Sequence, residues 1–319
     1  MIYVLGEAML ELTVDADGQP QTAVAGDTFN TAVALAQLGI EVQYLTGLGS
    51  DADSGKIITT CQRWAVSTDL IAVVADLTAG RYTIHLDPHG ERSFTYDRDS
   101  SAARALFCDP QLLARQLEKI TPGQWIYLSG ITLAIASPQC RELLTDFLQR
   151  YRATQGQVAF DCNHRPLLWQ SPSLAQKAYT GVLQHCDLFF AGSEDISTAW
   201  GIEAEAVPDK VTALQQPLTV LKRGGDSILL YTHGAVKEVP VQPVAKIVDS
   251  TGAGDIFNAG FLAAHLQGQS LIEACMLGQR LAAECLQHRG ALLPAPCWQR
   301  YQCMNTYAAA PKSKPIGSA

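Results

Sequence analysis

The sequence predicts an α/β fold, in which a mainly parallel β-sheet is covered by helices on both faces and carries a small β-sheet lid. Two observations support this prediction. Short apolar runs alternate with longer amphipathic segments along most of the 319 residues, which is the pattern of strands that alternate with helices. Between residues 81 and 96 the pattern becomes a residue-by-residue alternation, which indicates an antiparallel hairpin outside that sheet.

Seven apolar runs predict the strands of the main sheet, and the longer amphipathic segments predict helices between them. The predicted strands are Ile2–Leu5, Gln43–Thr46, Trp125–Ser129, Val158–Asp161, Leu188–Ala191, Leu218–Lys222 and Ile228–Tyr231. The predicted helices include Phe29–Leu38, Gly55–Trp64, Gln139–Arg152, Leu174–Gln184, Ile256–Leu266 and Leu271–Gln287. Ligands of such sheets bind beyond the carboxyl ends of the strands, so we expect the functional site there.

The change of pattern predicts a hairpin of Arg81–Leu86 and Arg92–Tyr96, joined by a Pro/Gly turn at 87–91. A hairpin cannot easily join a parallel sheet, so we interpret it as part of a lid that also takes strands from residues 7–25. We expect one domain over 1–305, with lid strands within about 7–25 and 80–98. The small and polar residues of 306–319 predict a disordered tail.

Hydrophobic residues make up 47% of the chain and charged residues 17%, which is the balance of a packed globular protein. No apolar run reaches the roughly 18 residues that span a bilayer, and the N-terminal sequence lacks the basic region and cleavage site of a signal peptide. We therefore expect a cytoplasmic protein without a membrane partner. The net charge of -8 argues against nucleic acid as a partner.

Nine cysteines occur singly along the chain, and none forms the CxxC pair that is typical of a zinc site. Most of them lie in apolar stretches, where a free cysteine behaves as a small hydrophobic residue. We therefore expect reduced core thiols rather than a zinc site.

The run Asp249-Ser250-Thr251-Gly252-Ala253-Gly254-Asp255 directly precedes an apolar helix pattern. Residues up to Val248 predict a strand end, so we expect the glycines in a turn that leads into a helix N-terminus. Backbone N–H groups are unpaired there and the helix dipole adds partial positive charge, while glycines let an anion approach the backbone closely. The loop is therefore suited to hold a phosphoryl group as negative charge develops on its oxygens.

Asp255 follows this loop, where its carboxylate could take the proton of a hydroxyl that attacks phosphorus. The alternative is a glycine turn whose aspartate only caps the helix. The segment has neither the GxxxxGK[ST] spacing of a Walker A loop nor the GxGxxG spacing of a dinucleotide-binding loop, which argues against a dehydrogenase.

Two segments, in this order, resemble the signatures of the ribokinase-like, or PfkB, carbohydrate kinases. The first is Ala25–Ala32 and the second is Asp249–Gly260, and the stretch Leu45–Gly55 between them is also similar to the family. The resemblance covers about residues 1–295. It implies a ribokinase-like doubly wound fold, a soluble carbohydrate kinase and ATP as the phosphoryl donor.

Within the family, four segments are most similar to the kinases of 2-keto-3-deoxygluconate. These segments are Gly26–Thr28, Gly90–Arg98, Tyr127–Ile135 and Asp161–Trp169. The resemblance therefore implies a small sugar acid as the substrate and its 6-phosphate as the product.

The resemblance also implies a role for each matching residue. Substrate contacts would come from Gly26, Asp27, Asn30, Tyr82, Tyr96, Arg98, Arg165 and Asp255. Nucleotide contacts would come from Asn163, Arg165, Lys222, Arg223, Gly224, Gly225, Asp226, Gly252 and Gly254. The catalytic residues would be Gly252, Ala253 and Gly254, which form an anion hole, and Asp255, which acts as the base.

The chain departs from the family at the Asn-x-x-Glu motif that organises Mg²⁺ through water. The corresponding stretch is Gly192-Ser193-Glu194-Asp195. We still expect Mg²⁺ with the ATP, because it usually bridges the β and γ phosphates. Glu194 and Asp195 are the candidates that would hold it through water.

A carboxylate on the substrate would need a cationic partner, and the planar guanidinium of Arg matches a carboxylate. Arg98 and Arg165 are the candidate partners. Two alternatives remain open: a kinase of a neutral sugar such as fructose or ribose, and a non-catalytic sensor on the same fold. An open edge of the lid sheet could also be covered by a second subunit, which would give a homo-oligomer.

Overall fold

Two separate β-sheets organise the chain, which a computed structural model describes over residues 1–14, 18–86, 92–232 and 234–308. The strands are β1 (Ile2–Leu5), β2 (Met9–Val14), β3 (Pro20–Ala25), β4 (Val42–Leu48), β5 (Ile71–Val73), β6 (Gly80–Leu86), β7 (Arg92–Asp97), β8 (Trp125–Ser129), β9 (Gln157–Asp161), β10 (Leu188–Gly192), β11 (Leu218–Lys222), β12 (Ser227–Thr232) and β13 (Ala235–Pro240). The large sheet has nine strands in the order β13-β12-β11-β10-β9-β8-β1-β4-β5, and the small sheet has four in the order β3-β2-β6-β7.

Helices cover the large sheet. They are α1 (Asp27–Gln37), α2 (Ala52–Arg63), α3 (Ala102–Cys108), α4 (Pro110–Leu117), α5 (Gly130–Ile135), α6 (Pro138–Ala153), α7 (Pro172–Leu183), α8 (Ser193–Trp200), α9 (Val207–Ala213), α10 (Ala253–Leu266), α11 (Leu271–Cys285) and α12 (Ala295–Ala308). None of the described helices is both long enough and apolar enough to cross a bilayer.

The large sheet separates two hydrophobic cores. Along β1, Ile2 and Val4 pack into the core that contains α1, α10 and α11, while Tyr3 and Leu5 pack into the core that contains α4, α6 and α7. Successive strand residues point to opposite faces, so a run that is apolar at every position must be buried on both sides. This is why β1 reads as one continuous apolar run, and it confirms the predicted fold of a sheet covered on both faces.

The strand order reverses at β1, which lies between β8 and β4. Strands β8 to β11 are parallel to one another, so their carboxyl ends meet at one edge of the sheet. Strand β12 pairs antiparallel with both β11 and β13 near one edge, and the other pairs are parallel, which agrees with a mainly parallel sheet. A crevice is expected at such a reversal of strand order.

The small sheet contains the strands predicted for the lid. Strands β6 and β7 form the antiparallel hairpin, and β2 adds to it in parallel with β6. Strand β3 pairs with β2 at the other side, so residues 7–25 contribute strands as expected. The predicted hairpin turn at 87–91 lies outside the described residues.

One local expectation is wrong: no strand leads into the Asp249 loop. Ile247 and Val248 are exposed, and Val248 donates its backbone N–H to the carbonyl of Leu286 after α11 rather than to a strand. Two adjacent apolar residues resembled a strand end, but no strand of the described residues pairs with them. At the C-terminus, α12 continues to Ala308, past the predicted domain end at 305, and 309–319 lie outside the described residues.

Candidate active site

A cleft of about 890 Å³ lies at the carboxyl ends of the central strands, beneath the lid. It brings together most of the site residues that the sequence predicts. These are Gly26, Asp27, Asn30, Tyr82, Tyr96, Arg98, Asn163, Arg165, Glu194, Asp195, Lys222, Arg223, Gly224, Gly252, Gly254 and Asp255. Three predicted residues do not line the cleft: Ala253 lies within the glycine loop, and Gly225 and Asp226 lie in the exposed turn after β11.

The glycine loop ends at Gly252, which begins α10 without any side-chain cap. Gly252 has φ +75, and a Cβ there would lie 2.7 Å from the carbonyl oxygen of Ala291. Both the left-handed backbone and the close approach require glycine. The N–H groups of the first helical turn have no partners within the helix. Because no side-chain oxygen caps this end, the turn can accept an anion from the cleft.

Asp249 holds the loop in this shape. Its Oδ1 accepts hydrogen bonds from the N–H of Thr251 at 2.9 Å and from the Thr251 hydroxyl at 2.7 Å. Its Oδ2 accepts from the N–H of Gly290 at 2.9 Å. The loop is therefore tied to the segment that follows α11.

Asp255 lies in the first turn of α10 and faces Asn30 of α1, whose Nδ2 donates to Asp255 Oδ2 at 2.8 Å. The enclosed position raises the pKa of the Asp255 carboxyl well above its usual value, and the negative charge of Asp27 raises it further. The hydrogen bond from Asn30 acts in the opposite direction. A higher pKa makes a carboxylate a stronger base, which suits proton abstraction from a hydroxyl.

A second feature of Asn30 points to a ligand. Its Oδ1 is buried and has no hydrogen-bond partner within the described residues. Buried polar atoms are normally hydrogen-bonded. Since Asn30 lines the cleft, a ligand hydroxyl could supply the missing donor.

A buried polar network below the loop was not predicted. Lys222 Nζ donates to Asn258 Oδ1 at 2.9 Å, and Asn258 Nδ2 donates to Asp161 Oδ2 at 2.9 Å. Asn258 is fully buried within α10. A polar residue inside the otherwise apolar pattern of α10, and an aspartate at the end of β9, were the two signals in the sequence. The network fixes the ammonium of Lys222 near Gly254.

The end of β9 presents Asn163 and Arg165 to the cleft. Asn163 has φ +30, an uncommon conformation for a residue other than glycine, and its Nδ2 donates to Asp27 Oδ2 at 2.8 Å. The side chain of Arg165 is 53% exposed and lies 3.6 Å from Asp195 Oδ1. Its Nη1 also donates to the carbonyl of His164 at 3.0 Å. A long ion pair at an exposed position holds an arginine only weakly, so the rest of the guanidinium can face a ligand.

The lid residues differ in how firmly they are held. Arg98 and Glu7 are both buried and form an ion pair, and the hydroxyl of Ser101 also donates to Glu7 at 2.7 Å. The Nε of Arg98 has no hydrogen-bond partner among the described residues. Tyr82 is buried and donates its hydroxyl to Glu11, whereas Tyr96 is 54% exposed. The position of Arg98 is therefore set by Glu7 before any ligand binds.

Asp195 and Glu194 begin α8 beside these groups. Burial, together with the charge of Asp161, raises the pKa of the Asp195 carboxyl to about 6. Glu194 is exposed at the cleft. Two carboxylates near a third negative charge favour a cation, and oxygen donors are what Mg²⁺ prefers. The donor set thus fits a hydrated Mg²⁺.

Comparisons with known proteins identify the family of the chain. Residues 1–298 match the family model described as pfkB family carbohydrate kinase. The chain belongs to the pfkB family of carbohydrate kinases. Both family signatures predicted from the sequence lie within the matched residues.

Two curated relatives in this family are similar over nearly the whole chain. The 2-dehydro-3-deoxygluconokinase of Dickeya dadantii (strain 3937) is 36% identical, with 92% of this chain and 96% of the relative covered. The 2-dehydro-3-deoxygluconokinase of Escherichia coli (strain K12) is also 36% identical, with 92% and 97% covered.

A solved structure extends the likeness to the fold. Aminoimidazole riboside kinase from Salmonella enterica, complexed with aminoimidazole riboside and an ATP analog, has a TM-score of 0.79 and 23% identity. The match covers 97% of this chain and 99% of that kinase. It confirms the ribokinase-like α/β fold expected from the sequence.

Proposed function

We propose that this pfkB family kinase transfers the γ-phosphoryl group of ATP to the 6-hydroxyl of 2-dehydro-3-deoxygluconate, also called 2-keto-3-deoxygluconate. One observation carries the proposal: the Asp255 carboxylate is held by Asn30 beside the uncapped N-terminus of α10. A base and an anion-binding turn are thereby combined within one turn of helix. The names and coverage of the curated relatives support the choice of substrate.

In this mechanism the substrate hydroxyl loses its proton to Asp255 and attacks the γ-phosphorus, and ADP leaves. The amides of Gly252, Ala253 and Gly254 stabilise the negative charge on the transferring group. Lys222 adds a fixed positive charge near Gly254, because Asn258 holds its ammonium there. Closure of the lid would exclude water, which otherwise competes as a nucleophile.

Arg165 is the partner we propose for the substrate carboxylate. Its side chain lines the cleft, and both its long ion pair to Asp195 and its hydrogen bond to the carbonyl of His164 use Nη1 alone. A guanidinium can bind both carboxylate oxygens at once. Arg98 is paired with the buried Glu7 through Nη2, so a ligand carboxylate there would lie close to a second carboxylate. Asp27, Asn30 and Gly26 are the residues proposed to bind the sugar hydroxyls, with Tyr82 and Tyr96 above them on the lid.

The nucleotide is proposed to lie along the ends of β9 and β11. Asn163, Lys222, Arg223 and Gly224 line that part of the cleft. Gly225 and Asp226, in the exposed turn, stay predictions as nucleotide contacts. Asp195 and Glu194 would hold Mg²⁺ through water, and when bound the ion supplies positive charge to the phosphate oxygens.

The test is ADP release by the purified protein with Mg²⁺ and ATP, across 2-keto-3-deoxygluconate, its galactonate epimer, fructose, ribose and adenosine. We expect turnover with the ketodeoxy acids and not with the neutral compounds. Turnover with fructose or ribose alone would contradict the substrate while keeping the kinase. No turnover across the panel, with ATP still bound, would favour the non-catalytic sensor.

Asp255→Asn tests the base separately from the substrate. We expect turnover to fall by a factor of about 10² or more, in line with the size of general-base effects. ATP binding should stay close to that of the unmodified protein, because the first-turn amides remain. An Asp255→Asn variant with normal turnover would remove Asp255 from the base role.

Two further expectations belong with this proposal. We propose a cytoplasmic enzyme, and a homo-oligomer in which the exposed edge strands of the lid pair with a second copy. Strand β3 supports the second point, since Pro20 to Ala23 are all exposed at one edge of the small sheet. Exposed edge strands of this kind are often covered by another chain.

A further inference from the structure

The end of α11 and the start of α12 bring three side chains with metal-ligating atoms together, away from the substrate cleft. Glu284 lies in the last turn of α11, His288 follows its end, and Cys297 lies in the first turn of α12. One carboxylate oxygen, one imidazole nitrogen and the sulfur all lie within 4.8 Å of one another. The rest of the described chain contains no other group of three such residues this close.

The three donor atoms favour one class of metal ion over others. Sulfur, imidazole nitrogen and carboxylate oxygen are the ligands of Zn²⁺, whereas Mg²⁺ and Ca²⁺ take oxygen donors. We propose that Glu284, His288 and Cys297 form a binding site for a thiophilic divalent cation such as Zn²⁺. Three protein ligands leave a fourth position for water. Cys297 binds as the thiolate, so its proton is released to solvent when the ion enters.

The surroundings suit such a site. Cys297 is only 6% exposed, and its Sγ lies 3.5 Å from His288 Nε2, which already aligns two of the three donors. The hydroxyl of Tyr301 donates to Glu284 Oε2 at 2.8 Å. A hydrogen bond of this kind orients a carboxylate that binds a metal through its other oxygen.

Arg300 pairs with that other oxygen, Glu284 Oε1. The side chain of Arg300 is 68% exposed. Exposed ion pairs contribute little, so the cation can displace the guanidinium into solvent. Arg300 therefore competes with the metal ion for Glu284 Oε1 but is not itself a metal ligand.

The site lies directly behind the glycine loop. Leu286, two residues before His288, accepts the N–H of Val248 at 2.7 Å, and Gly290, two residues after it, donates to Asp249 Oδ2 at 2.9 Å. A bound ion would therefore brace the segment that holds the loop from outside the cleft. It would not touch the substrate or the nucleotide.

The sequence did not indicate this site, because its ligands lack the CxxC spacing. Glu284 and His288 are four residues apart and Cys297 comes nine residues later. Only the reversal of the chain between α11 and α12 places the thiol beside the imidazole.

The experiment measures Zn²⁺ binding to the chelator-stripped full chain in competition with a chromophoric chelator, without ATP or sugar. We expect one tightly bound ion per chain, and a loss of affinity of at least about tenfold in Cys297→Ser and in His288→Ala. Cys108→Ser is the matched control, since Cys108 is a free and exposed cysteine outside the cluster. Its affinity should be unchanged. Cobalt should give a thiolate charge-transfer band that Cys297→Ser lacks.

Arg300→Ala distinguishes the loss of a metal ligand from damage to the fold. Removal of the competing guanidinium should tighten Zn²⁺ binding, which damage to the fold cannot do. Unchanged affinity in Arg300→Ala, full affinity in Cys297→Ser, or no binding by the unmodified chain would each overturn the proposal. Because no kinase reaction is involved, these outcomes are independent of the proposed activity.

Discussion

The basicity of Asp255 is set by four neighbouring side chains rather than by its place in the helix alone. Burial and the charges of Asp27 and Asp161 raise its pKa, while Asn30 and Lys222 lower it. Of these residues, Asp27 and Asn30 are also proposed to bind the sugar, and Lys222 to stabilise the phosphoryl group. Substitutions among them should therefore change the pH dependence of the reaction as well as its rate.

Asp27→Asn removes a negative charge that raises the pKa of Asp255. The base works only when ionised, so the acid limb of kcat/KM lies at its pKa. We expect this limb to move to lower pH in Asp27→Asn, and to higher pH in Asn30→Ala, which loses the hydrogen bond to the carboxylate. The measurement is kcat/KM against pH for each variant.

Asp146→Asn, an exposed change on α6, is the control and should leave the limb in place. The two site variants are expected to shift it in opposite directions, whatever their absolute rates. A shift in the same direction for both would mean that another group controls the acid limb.

At the scale of single elements, the start of α10 depends on Gly252. Gly252→Ala places a Cβ against the carbonyl of Ala291 and forces alanine into φ +75. Gly268 at the other end of α10 has the same φ with open space around it, so Gly268→Ala carries the backbone strain alone, of about 1 to 3 kcal/mol. We expect a larger loss of unfolding free energy in Gly252→Ala, measured in urea, together with a loss of turnover.

Gly268→Ala should keep its turnover, because the residue lies far from the cleft along the helix. Equal stability losses in the two variants would show that the contact with Ala291 can relax. Normal turnover in Gly252→Ala would argue against the loop as the anion hole.

Elements buried on both faces were the most predictable from the sequence. The bounds of β1, β8 and β11 were predicted without error, because their side chains are apolar or buried at almost every position. The edge strands β5 and β13 were missed: β5 has only three residues, of which one is buried, and β13 has only one buried residue. Ile247 and Val248 were wrongly predicted as a strand end because they are apolar, but both are exposed and lie outside any strand.

The candidate site was predictable where its residues form local motifs, as in Gly26–Asn30 and Gly252–Asp255. It was not predictable where partners are remote in sequence. Glu7 lies 91 residues from Arg98 and Asp161 lies 97 residues from Asn258. Such pairs are brought together by the packing of the fold, and a local sequence pattern gives no information about that packing.

For the whole molecule, the buried pair of Arg98 and Glu7 links the lid to the body. Arg98 follows β7 of the lid, and Glu7 lies between β1 of the large sheet and β2 of the lid. Arg98→Met would leave Glu7 as an unpaired buried charge, so we expect a loss of about 3 to 5 kcal/mol in unfolding free energy. The measurement is urea unfolding at neutral pH.

The double variant Glu7→Gln/Arg98→Met removes both charges and should recover part of that loss. A role of Arg98 confined to the substrate carboxylate predicts a different result: unchanged unfolding, with reduced turnover on sugar acids only. The two roles are therefore separated by stability and not by activity alone.

Strand β3 runs through Ala25 into Gly26, which begins α1. The proposed sugar-binding turn is thus a covalent continuation of the lid, whereas the proposed nucleotide contacts on β9 and β11 are not. Sugar acid without nucleotide should therefore slow amide hydrogen exchange in β2 and β3, while ATP alone should leave it unchanged. If ATP alone protects these strands, the lid responds to the nucleotide instead. An enzyme built this way would favour ordered addition, with the acceptor bound before the donor.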